Sequence, residues 1–205
     1  SEILNYAGIN INTVPLLDVK SKKGHKIIGD RSFSSSPYIV KKIGNMCIDF
    51  YKNNKIATVI KHIPGHGLAK SDSHYNTPTI KANKKTLNKK AFYPFKNSKS
   101  LFGMTAHVIY SNYDKKNTAT HSSYIIKKII RKKINFRGII ISDDISMKSL
   151  RYKLEENAIK ALTAGCNLVL HCNGKLSEMA SLCKIIPNVD KFTQKKTSHF
   201  YKFLM

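Results

Sequence analysis

Tryptophan is absent from this chain of 205 residues, only four residues are arginine, and only 12 are acidic. No apolar run approaches the roughly 18 residues that a membrane-spanning helix needs. No signal-peptide apolar region is visible near Ser1, and no CxxC spacing occurs. The expectation from these absences is a chain without a membrane span, a secretory leader or a cysteine framework. The shortage of arginine bears on the net charge of +24, which would otherwise point to nucleic acid. Bases and phosphates are gripped best by guanidinium forks. Here 32 of the 36 basic residues are lysine, accompanied by 25 Ile and 17 Asn, as an AT-rich coding sequence would produce. The charge is spread along the chain apart from short runs such as Lys127-Lys128 and Arg131-Lys132-Lys133. It reads as a solvated surface, and nucleic acid is not an expected partner.

What is present is enough for a real core: 41% hydrophobic residues, with ten Tyr and nine Phe. Cys47, Cys166, Cys172 and Cys183 read as buried free thiols in a reducing compartment, so the expected location is the cytoplasm. Five short apolar runs, at 9–17, 56–60, 101–108, 138–141 and 167–170, have the near-continuous Ile/Val/Leu content of strands buried on both faces. Helical patterns lie at 37–51, 87–96, 122–133, 154–164 and 176–185. Strand and helix alternate, which predicts an α/β fold with a parallel sheet covered by helices. Ser122 suits an N-cap and Gly165 a C-cap. The tail 191–205, basic then aromatic, has no clear period and stays unassigned beside a main domain of 1–190. Residues 3–7 read as the tail of a helix.

Polar residues follow the strand runs: Asp18, Lys61 and His62, His107, then Asp143 and Asp144. In parallel α/β folds, ligands bind beyond the carboxyl ends of strands. Residues 61–74 concentrate three His, one Asp and two Gly on one strand exit. Pro64, Gly65 and Gly67 exclude a regular helix there. Asp72 and His74, two apart in an extended loop, would lie on one side, where the carboxylate can orient an imidazole that works as general acid and base. Asp143, held by a rigid strand, suits a nucleophile. The plainer alternative is that Asp143 and Asp144 cap the next segment. Arg31, Lys61 and His62 offer donors for a polar, uncharged ligand such as a sugar. A metal held by His62, His66, Asp72 and His74 is the other chemistry this loop permits, but none is expected. His25, His121 and His199 read as solvent-exposed, and His171 as a packing or supporting residue.

Lys61-His62-Ile63-Pro64-Gly65-His66-Gly67 with Asp72-Ser73-His74, then Phe136-Arg137-Gly138 leading into Ser142-Asp143-Asp144-Ile145-Ser146-Met147, resembles the β-N-acetylhexosaminidases of glycoside hydrolase family 3. Ile28-Gly29-Asp30-Arg31-Ser32-Phe33 precedes them, with supporting matches at Val14-Pro15-Leu16-Leu17-Asp18-Val19, Met104-Thr105-Ala106-His107-Val108 and Ala164-Gly165-Cys166-Asn167-Leu168-Val169-Leu170. The resemblance runs over about 5–186. It implies a (β/α)8 TIM barrel of which strands 4 to 8 are present. The implied reaction is retaining release of terminal β-linked N-acetylglucosamine from muropeptides in cell-wall recycling, with no cofactor and no metal. It makes Asp143 the nucleophile, His74 the acid/base, Asp72 its orienting partner, and Arg31, Lys61 and His62 the amino-sugar contacts. Because His74 sits on a glycine-flanked loop rather than a strand, that loop is expected to close over bound sugar. Asn167 stands where the family usually has Asp. Five strands leave two edges unpaired, so a homo-oligomer covering them is an expected partner beside the substrate. The alternatives are an inactive remnant serving as a binding or structural protein, and a phosphorolytic relative.

Overall fold

The structure is a computed structural model that describes residues 1–22, 24–73 and 75–204. All five apolar runs become strands of one sheet: β1 (Ile11–Asn12), β2 (Ala57–Ile63), β4 (Phe102–Thr105), β6 (Ile139–Asp144) and β7 (Leu168–Leu170), in the order β1-β2-β4-β6-β7. Every pairing is parallel. Each step to the next strand passes through helix, as a parallel connection requires. The sheet is a curled half-barrel of the α/β class. A second, two-stranded parallel sheet joins β3 (Thr79–Ile80) to β5 (Ile109–Tyr110).

The first run is strand over only two residues because Pro15 has no N–H for the ladder. It nevertheless follows β2 further: Lys61 N donates to Pro15 O (3.2 Å) and Leu17 N to Lys61 O (2.7 Å). The helices are α1 (Glu2–Tyr6), α2 (Pro37–Asn53), the short α3 (Lys84–Thr86), α4 (Leu154–Ala164), α5 (Leu176–Ile185) and α6 (Lys191–Leu204). Between β5 and β6, Ile125–Lys133 winds in π-type turns. Its Ile125, Ile126, Ile129 and Ile130 are buried while Lys127, Lys128, Lys132 and Lys133 face solvent. Ser122 caps it, its Oγ accepting from Ile125 N. Gly165 ends α4 at φ +118, a conformation that glycine adopts without strain.

The two faces of the sheet do different work. Ile60, Ile63 and Ile140 pack against the helix layer, with Phe92, Phe95 and Phe136 fully buried among them; each such side chain contributes about 1.5–3 kcal/mol. On the opposite face, Ala57 and Val59, Phe102 and Met104, and Ile139 form a separate apolar cluster. That cluster is closed by α6, whose Phe200 is 7% exposed and meets the Phe102 ring edge-on at 5.5 Å. The tail left unassigned from sequence is therefore a packed helix.

Arg131, expected in a solvated run, is turned inward. It donates to Phe136 O and Gly138 O, and to Asn167 Oδ1 at 2.8 Å, and lies over the Phe192 ring. Asn167 in turn donates to Thr193 Oγ1 (3.0 Å), so one arginine and one amide pin α6 to the strand starts. Of the four free thiols only Cys166 is buried; Cys172 and Cys183 are exposed. No helix among the described residues is long and apolar enough to cross a membrane.

Candidate active site

Strand alternation carries the inner-face pattern of Ala57 and Val59 on to Lys61, and that of Ile139 and Ile141 on to Asp143. Both candidate side chains emerge where the strands end. Between Lys61 and Ile63 the pairing with β4 slips by one residue, so His62 is the extra residue of a bulge, a device that re-aims a side chain. Arg31 reaches the same place from the 3-10 turn Gly29–Arg31. Together Arg31, Lys61, His62, His66, Ser73 and Asp143 line a cavity of about 280 Å³, with Met104, Leu170 and Cys172 as its apolar and thiol wall. A larger cavity of about 560 Å³, beside α5 and the start of α6, is mainly apolar and holds none of these groups.

The two adjacent carboxylates lie in different surroundings. Asp144 caps the following turn, accepting from Ser146 N (3.1 Å), Ser146 Oγ (2.6 Å) and Cys172 N (3.3 Å). Asp143 faces the cavity, its side chain 19% exposed and its Oδ2 lying 3.8 Å from His62 Nε2. Burial pushes its carboxyl up, but His62, His107, the Asp144 N–H and Lys61 more than offset this and hold it below the usual carboxylate range. It is thus kept ionised, the form a nucleophile needs. Lys61 is pushed down by burial and by Arg31, against the pull of Asp143 and Asp18.

Behind His62 stands Asp18, fully buried. Its Oδ2 accepts from the His62 ring Nδ1 at 2.7 Å and from His62 N at 3.2 Å, while its Oδ1 accepts from His66 N. Burial raises this carboxyl, yet the two histidines bring it below its ordinary value. His66 Nε2 pairs with Ser73 Oγ at 3.2 Å. Two glycines allow the turn that carries His66. Gly65 has φ +127, and a Cβ on Gly67 would sit 2.0 Å from Val19 O. The buried Tyr110 hydroxyl donates to Gly65 O (2.9 Å) and fixes the same turn.

Beyond that turn, Asp72 O accepts from Tyr75 N and Asn76 N. Asp72 is half-buried; His74, the expected acid/base, lies outside the described residues. Among the described residues no three His, Cys, Asp or Glu side chains are grouped to hold a metal. His121, expected in solvent, is half-buried; its ring Nε2–H donates to Asn157 O at 3.1 Å, and its ring lies tilted beside Tyr152. His25 is half-buried too, accepting from Ile27 N; His199 is exposed as expected. His171 pairs with Glu178 at 2.9 Å. Sequence reading passed over Asp18 and Ser73 as site residues. Asp18 carried a signal, its place after the first strand run; Ser73 carried none.

A parallel half-barrel whose strand ends gather a buried carboxylate–imidazole pair, a second carboxylate and two basic side chains around a small cavity belongs to the barrel-derived α/β class. The chain belongs to glycosyl hydrolase family 3, whose N terminal domain profile matches residues 1–199. It is 39% identical over 173 residues to a beta-hexosaminidase of Actinobacillus pleuropneumoniae serotype 5b, covering 80% of this chain and 49% of that enzyme. A beta-hexosaminidase of Haemophilus influenzae (strain Rd) is 37% identical over 200 residues, covering 94% and 54%. Among solved structures, NagZ from Neisseria gonorrhoeae in complex with N-trifluoroacetyl-D-glucosamine superposes with a TM-score of 0.85 at 27% identity, covering 97% of this chain and 58% of that one. A family 3 beta-N-acetylglucosaminidase from Paenibacillus sp. FPU-7 gives 0.86 at 26% identity, covering 98% and 40%. The chain thus spans about half the length of the curated relatives it matches.

Proposed function

We propose that this chain carries the catalytic strand ends of a retaining glycoside hydrolase that releases terminal β-linked N-acetylglucosamine, with peptidoglycan-derived muropeptides as substrate. The observation that carries this reading is the ionised Asp143 facing a cavity shared with Arg31, Lys61 and His62. In the reaction, an Asp143 oxygen attacks the anomeric carbon as the bond to the leaving oxygen breaks, and His74, oriented by Asp72, protonates that oxygen. A glycosyl ester of Asp143 remains. Water then attacks the same carbon, gives its proton to His74 and frees the carboxylate, so two inversions retain the configuration. Arg31, Lys61 and His62 hold the sugar hydroxyls and the acetamido group. A second copy of the chain covers the open β1 and β7 edges of the sheet.

The test is turnover of a chromogenic β-N-acetylglucosaminide by the purified chain. Turnover that Asp143→Ala abolishes, with a glycosyl adduct on Asp143 seen by mass spectrometry of a slow 5-fluoro N-acetylglucosaminyl substrate, supports the reading. Turnover unchanged in Asp143→Ala overturns it. No turnover in the native chain, together with salt-sensitive binding of polyanions, supports an inactive binding protein, and a rate that rises with added phosphate supports phosphorolysis.

A further inference from the structure

We propose that Asp18 is the positioning residue of this site, one buried carboxylate that sets the tautomer of His62 and fixes the separate segments around the cavity to each other. The inference rests on the reading of His62 as a sugar contact. Three connections meet at this residue. Its Oδ2 takes the His62 ring Nδ1–H and the His62 main-chain N–H. Its Oδ1 takes the His66 main-chain N–H. Its own carbonyl accepts from Ser32 Oγ at 2.7 Å, beside Arg31. Through His66 the network continues to Ser73, which adjoins Asp72. The neighbouring Leu17 N holds Lys61 O. The segments bearing Arg31, Lys61, His62 and the reactive loop are therefore all tied to residues 17 and 18.

The carboxylate is suited to this work because it only accepts hydrogen bonds. With 0% exposure it has no water to turn toward. Pinning Nδ1–H leaves the His62 Nε2 facing the cavity, on the side of Asp143. An Asn at position 18 keeps the shape but has one oxygen to offer where two are used. The His66 N–H lies closest to the carboxylate, so the oxygen stays there; the NH2 then faces both the His62 main-chain N–H and His62 Nδ1, and only a ring that moves its proton to Nε2 turns one of these contacts into a hydrogen bond. A buried donor held against another donor is costly enough to drive that exchange.

The experiment is long-range 1H–15N correlation spectroscopy of the histidine rings in the full chain, with His62 assigned through His62→Gln. The native His62 ring is expected to carry its proton on Nδ1, and Asp18→Asn to move it to Nε2 while the circular dichroism is unchanged. On a chromogenic β-N-acetylglucosaminide, Asp18→Asn is expected to lower kcat/KM at least 100-fold. A native ring protonated on Nε2 alone overturns the proposal, and so does an Asp18→Asn protein with a lower Tm but the native tautomer. The native spectrum needs no variant and no turnover, so it decides the matter even if Asp18→Asn does not fold or the glycosidase reading fails.

Discussion

His107 and Asp144 are joined by a 2.9 Å hydrogen bond from ring Nε2 to the main-chain carbonyl. The carbonyl only accepts, so Nε2 carries the proton and Nδ1 must accept from Thr120 Oγ1 at 2.7 Å. Thr105 Oγ1, at 2.9 Å, then donates to Thr120. This chain of fully buried groups holds the end of β6, and with it the direction of Asp143. Replacing His107 by Ala removes the support and leaves Thr120 and the Asp144 carbonyl without their partner. We expect a stability loss of about 2–3 kcal/mol, consistent with orphaned buried groups, and a fall in kcat with KM little changed. Urea titration and steady-state kinetics on a chromogenic glycoside check it; a variant with native kcat would show that the strand end stands without His107.

Stability should fall on mild acidification. Burial pushes His121 from its ordinary 6.5 down to about 4, and it also holds His107 and His66 below their ordinary value. The folded chain keeps these rings neutral while the unfolded chain takes up protons below about pH 6.5. The unfolded state then binds more protons, so unfolding becomes easier as pH drops from 6.5 toward 4, each ring contributing at most about 1.4 kcal/mol per pH unit. Asp18 and Asp143, with carboxyls lower in the fold than their ordinary 3.8, add a loss in the same direction below that pH. Urea midpoints should be level from pH 7 to 8 and decline steadily from 6.5 to 4. A midpoint that holds level down to pH 5 would contradict this assignment.

Lys61 is half-buried on the cavity wall, near Arg31 and Asp143. Replacing it with Met keeps the aliphatic stem and removes the donor. If the donor holds a sugar hydroxyl in both ground and transition states, KM rises about 10- to 100-fold while kcat changes less, the signature of lost uniform binding. A kcat loss of that size at constant KM would instead place Lys61 in transition-state stabilisation.

The strands were legible because each falls in a near-continuous apolar run, and α4 and α5 occupy the same residues, 154–164 and 176–185, that periodicity marks. β3 and β5 were not, since two residues carry no period. α6 escaped because its apolar contacts are few and late, Phe200, Phe203 and Leu204 meeting the inner face of the sheet. At the site, the positions of Lys61, His62 and Asp143 follow from strand ends. The partnership of Asp18 with His62 spans 44 residues and depends on β1 lying beside β2, which no local pattern encodes. The inward turn of Arg131 is likewise a tertiary choice, since its acceptors at Phe136, Gly138 and Asn167 assemble only when β6 and β7 pair.

The docking of α6 by its aromatic end can be tested separately from the chemistry. Phe200 covers Phe102 and the inner-face cluster, and Thr193 and Phe192 hold the other end of the helix through Asn167 and Arg131. A charge at position 200 would be buried without a partner, so in Phe200→Asp the helix should leave the sheet while the core on the helix-covered face, which it does not touch, stays folded. Hydrogen exchange is expected to show lost protection confined to 191–204 and the starts of β2 and β4. The uncovered Ala57, Val59, Phe102 and Met104 should then bind an apolar dye and promote self-association in sedimentation, as exposed apolar patches do. Protection of α6 that survives the substitution would mean that the Arg131 and Asn167 contacts alone hold it, and that Phe200 is an accessory to them.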